Sequence, residues 1–131
     1  MRLILSLCLV TLAGVGCMSV PKGLRVIVTD TPEDYCIARV NCYRADMRAI
    51  VVVPGQSLKL MAHEACHAHQ HQTIIDETGR EPSIDLHEWL DTQEASEYTA
   101  GVSVAPQGYT PVLLEDFAEA CGRYLTDWRI Q

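Results

Sequence analysis

The order of apolar and polar positions divides the chain into two short apolar runs, a long stretch of helical period, and two further helical stretches. Residues 24–29 alternate and are rich in β-branched side chains, and residues 49–53 form an apolar run closed by Pro54-Gly55, so both predict strands. From Ser57, which stands where an N-cap belongs, Leu58, Met61, Ala62, Ala65 and Cys66 recur at helical spacing and predict a helix through about residue 72. Residues 78–82 contain Gly79 and Pro82 and break that pattern. A second, more polar helix is expected over 84–99, then a loop over 105–111, which holds two prolines and a glycine. Residues 112–128 predict a C-terminal helix with Leu113, Phe117, Ala120, Cys121, Tyr124 and Leu125 on its apolar side. The expectation is an α+β domain: a small sheet with 49–53 as an edge strand along which an extended peptide would lie, and the 57–72 helix behind it.

Composition adds a compartment to this picture. Residues 2–19 place one arginine before an apolar run that ends among small residues, the outline of an export signal over 1–17, which leaves 18–131 as a single domain. The run is shorter than the roughly 20 residues a spanning helix needs. Gly14-Val15-Gly16-Cys17 resembles a bacterial lipobox, so two outcomes are open: cleavage nearby, or membrane attachment through a lipidated Cys17. Either makes the protein exported, whether secreted, periplasmic or held at the envelope. Beyond the leader, Cys36, Cys42, Cys66 and Cys121 make an even set in an oxidising compartment, and the short 36 to 42 spacing favours Cys36–Cys42 and Cys66–Cys121 among three connectivities. Ten basic against seventeen acidic residues give a net charge of -7, and aromatic content is 6%. That balance repels a phosphate backbone and offers little stacking surface, so nucleic acid is excluded as a partner and a monomer is expected.

The chemistry lies in His63-Glu64-Ala65-Cys66-His67, an HExxH motif on the first predicted helix. The i, i+4 spacing puts both imidazoles on one face, where one Zn2+ ion can bridge them, and Glu64 beside the first ligand is the candidate general base. With five His and nine Glu in 131 residues, chance would place such a motif in about one chain in a hundred. His69 and His71 lie on other faces of the same helix and read as surface or outer-sphere residues. A histidine-rich segment that binds metal without catalysis is the functional rival. A catalytic zinc needs a third protein ligand, and no Gly and third His follow at the metzincin spacing, so a carboxylate from a later helix is expected.

Residues 114–125, Leu-Glu-Asp-Phe-Ala-Glu-Ala-Cys-Gly-Arg-Tyr-Leu, resemble the second motif of gluzincin-type peptidases, a group that includes the catalytic domain of anthrax lethal factor and bacterial zinc-binding metallopeptidases. The resemblance implies a zincin-like domain in which Glu115 completes the zinc site and Glu119, one turn on, steadies a ligand histidine from outside. It further implies that Tyr109 donates a hydrogen bond to the developing oxyanion. Glu94 or Glu97 is a second candidate for the third ligand, with Asp residues and His87 behind them. A Cys66–Cys121 bridge would then tie the HExxH helix to the helix bearing Glu115. The implied function is zinc-dependent peptide-bond hydrolysis by metal-activated water on a peptide or protein substrate. The alternatives are a non-catalytic metal-binding lipoprotein and an inactive zincin scaffold.

Overall fold

The computed structural model of the chain describes residues 7–11, 14–38, 40–101 and 110–127. Its elements are β1 (Leu7–Thr11), β2 (Gly14–Met18), β3 (Arg25–Val28), β4 (Cys42–Arg44), β5 (Ala49–Val52), α1 (Leu58–Thr78), α2 (Gln93–Gly101) and α3 (Thr110–Asp127), with 3-10 turns at Pro32–Asp34, Ala45–Met47 and His87–Asp91. The architecture is α+β, as the pattern predicted. Within the segment read as a leader, β1 and β2 pair antiparallel as a separate two-stranded unit.

The main sheet runs β3-β5-β4, with β3 parallel and β4 antiparallel to β5. The expectation of an edge strand at 49–53 is therefore corrected: β5 is the central strand. All four of its residues are buried. A run without one polar position covers both faces against protein, which is the behaviour of an interior strand. The outer strands are β3, where Val26 and Val28 are exposed, and β4. β4 escaped the sequence reading because Cys-Tyr-Arg is too short to show a period; its register comes from the pairing of Cys42 with Val51 and from the Cys36–Cys42 disulfide.

Helix α1 begins where predicted, with the Ser57 hydroxyl accepting from the Leu60 amide at 3.3 Å. It runs one and a half turns past residue 72, because Ile74 is buried in the core and its packing outweighs the low helix propensity of Thr73-Ile74-Ile75. Gly79, at φ 71°, ends it in the left-handed conformation that glycine adopts without strain, and its amide donates to the Ile75 carbonyl at 2.8 Å. The single helix expected over 84–99 is instead the 3-10 turn His87–Asp91 followed by α2. The break falls at Thr92, which is extended (ψ 159°) and whose hydroxyl accepts from the Ala95 amide at 3.2 Å, capping α2.

The core gathers Tyr43, Ile50, Val52, Ala68, Ile74, Leu86, Trp89, Ala95 and Leu114, with Phe117 packed against it. Among the described side chains of α3, Leu114, Ala118 and Gly122 are buried; of the apolar side predicted, Phe117 packs against the core and Cys121 is bonded to Cys66, while Ala120 is exposed. Small side chains on this face let α3 lie close to α1. A Cβ at Gly122 would stand 3.1 Å from the His63 backbone nitrogen. The Cys66–Cys121 disulfide joins the same two helices, so both expected bridges are present.

Candidate metal centre

One helical turn separates His63 from His67 on α1, and their rings meet edge to face with centroids 4.9 Å apart. Across the α1–α3 contact Glu115 reaches both: one carboxylate oxygen lies 3.1 Å from His63 Nε2 and the other 3.2 Å from His67 Nε2. Ligand atoms of His63, His67 and Glu115 lie within 4.8 Å of one another, a group that could hold a metal ion. Glu119, one turn along α3, takes the opposite side of the first ring at 3.2 Å from His63 Nδ1. The structure thus brings Glu115 and Glu119 to the two nitrogens of the His63 ring.

The hydrogen-bond partners decide which nitrogen of each ring faces the centre. Gln70 is fully buried, its Nε2 donates to the Leu114 carbonyl at 3.1 Å, and its Oε1 therefore faces His67 Nδ1 at 2.8 Å. Carbonyl and carboxylate oxygens only accept, so His67 donates from Nδ1 to Gln70 and His63 donates from Nδ1 to Glu119. In neutral rings that leaves two Nε2 lone pairs aimed at the oxygens of a carboxylate. Electron pairs do not converge without a cation among them, either a proton or a metal. The His63 pKa accordingly rises through its hydrogen bond to Glu115, against the opposing effect of burial. Glu115 is held well below the usual carboxylate range by its hydrogen bonds from His63 and His67.

Glu64 is 8% exposed, and burial raises its pKa above that of an ordinary glutamate, with the two histidines opposing the shift. The Glu115 side chain, by contrast, is 61% exposed and opens the centre to solvent. It shares with His63, Asp116 and Glu119 the lining of an open groove of about 290 Å³.

The other histidines of α1 are built differently, and of the two readings given them, surface or outer-sphere, the first is corrected. Both are buried. His69 offers Nε2 to Glu94 at 2.6 Å and accepts the Ser19 amide at Nδ1 (3.1 Å), while His71 offers Nε2 to Glu81 at 2.8 Å and meets the Tyr43 hydroxyl at Nδ1 (2.7 Å). Each of these rings meets a carboxylate of its own at Nε2, whereas His63 and His67 converge on one. Glu94, the rival third ligand, is held by His69, the Trp89 indole at 2.9 Å and the Thr73 hydroxyl at 3.3 Å. Burial pushes its pKa up, and the contacts with His69, Trp89 and Thr73 together outweigh burial and lower it. Glu97 is exposed and accepts only from the Gln93 amide group among the bonds described. His87 belongs to an exposed group with Asp85 and Glu88 gathered about the Ser83 hydroxyl, apart from His63 and His67. Tyr109 lies outside the described residues. Gln70 was missed from the sequence. The one signal available was a polar side chain three residues after His67, where a helix brings it beside that ring.

Comparison of the chain with protein-family models, with characterised proteins and with solved structures finds no match.

Proposed function

We propose that this chain is an exported zinc metallopeptidase of the gluzincin type, with a zincin-like fold, acting on a peptide or protein substrate. The observation that carries the proposal is the convergence of two imidazole Nε2 atoms on both oxygens of Glu115, with each Nδ1 engaged from behind. Two nitrogens and one carboxylate oxygen are a donor set that suits zinc, and three protein ligands leave one position open, the arrangement of hydrolytic rather than structural sites. When bound, zinc supplies Lewis acidity toward water and toward the scissile carbonyl. His63, His67 and Glu115 would hold it, and Glu119 and Gln70 fix the ring orientations.

Glu64 follows His63 directly, and its raised proton affinity fits a base that takes a proton from the attacking water and returns it to the leaving amine. The exposed groove beside Glu115 gives an extended chain a way in. Two disulfides and the apolar leader support export, and among the described residues no helix is long and apolar enough to cross a membrane. A metal-storage role through His69 and His71 loses support, since among the described residues neither belongs to a group of three ligand side chains.

The test is Glu64→Gln. It should retain one zinc per chain and lose peptide hydrolysis by about 10²- to 10⁴-fold, and unchanged turnover would overturn the assignment. A zinc-loaded native chain that cuts nothing in a peptide library would leave the inactive scaffold as the reading.

A further inference from the structure

Gln70 stands between the two helices that supply the proposed ligands, and both polar atoms of its amide are engaged. It has no solvent exposure. Its Nε2 donates to the carbonyl of Leu114 on α3, the residue immediately before Glu115. Its Oε1 faces Nδ1 of His67 on α1. The amide cannot turn over, because that would set Oε1 against the Leu114 carbonyl, two acceptors facing one another in a buried site. A backbone carbonyl of α3 thus sets the direction of Gln70, Gln70 sets which nitrogen of His67 carries the proton, and that proton leaves Nε2 free toward Glu115.

We propose that Gln70 is a positioning residue that couples the two ligand helices, holding His67 as the Nδ1–H tautomer and Leu114-Glu115 at a fixed distance from it. The inference rests on the metal-centre reading and not on catalysis. The two rings are held by unlike partners. His63 is held by the charged Glu119, which also meets Arg123 at 3.3 Å and Lys59 at 3.6 Å in a solvent-exposed setting. His67 is held by a neutral amide in the dry interior. A carboxylate there would put a charge in the dry interior, and an amide supplies the acceptor without that charge. The pairing therefore follows burial: a charge where water reaches, a dipole where it does not.

The experiment has two parts. The first is ¹⁵N-edited NMR of the imidazoles in the native metal-free chain at pH 8, then in the zinc-loaded chain. His67 is expected as the Nδ1–H tautomer in both, with a slowly exchanging Nδ1 proton; an Nε2–H tautomer in the metal-free chain would overturn the proposal, and this readout holds even where zinc fails to bind. The second is zinc affinity by chelator competition for Gln70→Leu and Gln70→Glu. Gln70→Leu should weaken zinc by about 10- to 100-fold, the range for outer partners of a ligand histidine. Gln70→Glu, which keeps an oxygen for His67, should recover part of that loss. A folded Gln70→Leu chain with unchanged affinity sinks the coupling while leaving the zinc site intact, whereas zinc binding to neither native nor variant chain removes the metal reading itself.

Discussion

Glu115 and Glu94 both present a carboxylate to a histidine of α1, and their surroundings assign them opposite roles. Glu94 is closed in by His69, Trp89 and Thr73, all hydrogen-bond donors, in a partly buried setting. Glu115 meets two imidazoles and otherwise faces water. Glu115→Ala is therefore expected to weaken zinc beyond the roughly 10- to 100-fold of an outer partner, with little change in the unfolding midpoint of the metal-free chain. Glu94→Ala should keep zinc and lower stability by about 1–3 kcal/mol, the cost of leaving buried donors without an acceptor. Chelator competition and urea unfolding on both variants decide the matter, and the reverse outcome would transfer the third ligand to Glu94. At this scale the sequence was legible where chemistry follows local spacing, as for His63, Glu64 and His67 within five residues, whereas Glu115 and Glu119 were named through a resemblance, their spacing being no different in kind from that of Glu94 and Glu97. Gln70 was not legible, since what gives it a role is a carbonyl 44 residues away.

Helix α1 is fastened to the sheet by a histidine that no apolar pattern reveals. His71, without exposure, accepts from the Tyr43 hydroxyl of β4 and donates to Glu81, which also pairs with Arg48 just before β5. Burial lowers the His71 pKa, with Glu81 opposing, and burial raises that of Tyr43, so the phenol stays a donor and the imidazole stays neutral. The unfolded chain protonates this side chain near its ordinary value of about 6.5. The unfolded state thus binds more protons below that pH, so the contribution is complete above about 6.5 and is lost as pH falls toward the lower folded value. Each tenfold difference in proton affinity is worth about 1.4 kcal/mol. His63, with its raised value, slopes the other way: its contribution is present below about 6.5 and fades as pH rises. Urea midpoints of the metal-free native chain and of His71→Gln, compared between pH 7.5 and 5.5, separate the two. The variant should lose less stability on acidification than the native chain, and parallel pH profiles would show that His71 is not held neutral. The same contrast explains which elements the sequence revealed. The start of α1 could be marked by Ser57 because a cap is local, whereas its end at Thr78 depended on the burial of Ile74 and the centrality of β5 on β4, three residues long and without a period of its own.

For the molecule as a whole, the question is what keeps two ligand-bearing helices in register when their residues are some fifty positions apart. Packing supplies one answer, since Gly122 and Ala118 allow α3 to approach the backbone of His63. The Cys66–Cys121 bridge supplies another, closing a span of 55 residues, while Cys36–Cys42 closes 6 and joins residues on neither ligand helix. Loop-closure entropy makes the longer bridge worth about 4 kcal/mol and the shorter about 2 kcal/mol against the unfolded chain. Their effects on the metal should differ in kind. Replacing Cys66 and Cys121 by alanine should lower both the urea midpoint of the metal-free chain and the zinc affinity, because Glu115 would then be brought to the histidines only by packing and the Gln70–Leu114 hydrogen bond. Replacing Cys36 and Cys42 should lower the midpoint by the smaller amount and leave zinc affinity unchanged. Equal zinc affinity in the two double variants would mean that the small-residue face of α3 suffices to bring the ligands together, and that the bridge between Cys66 and Cys121 acts on stability only.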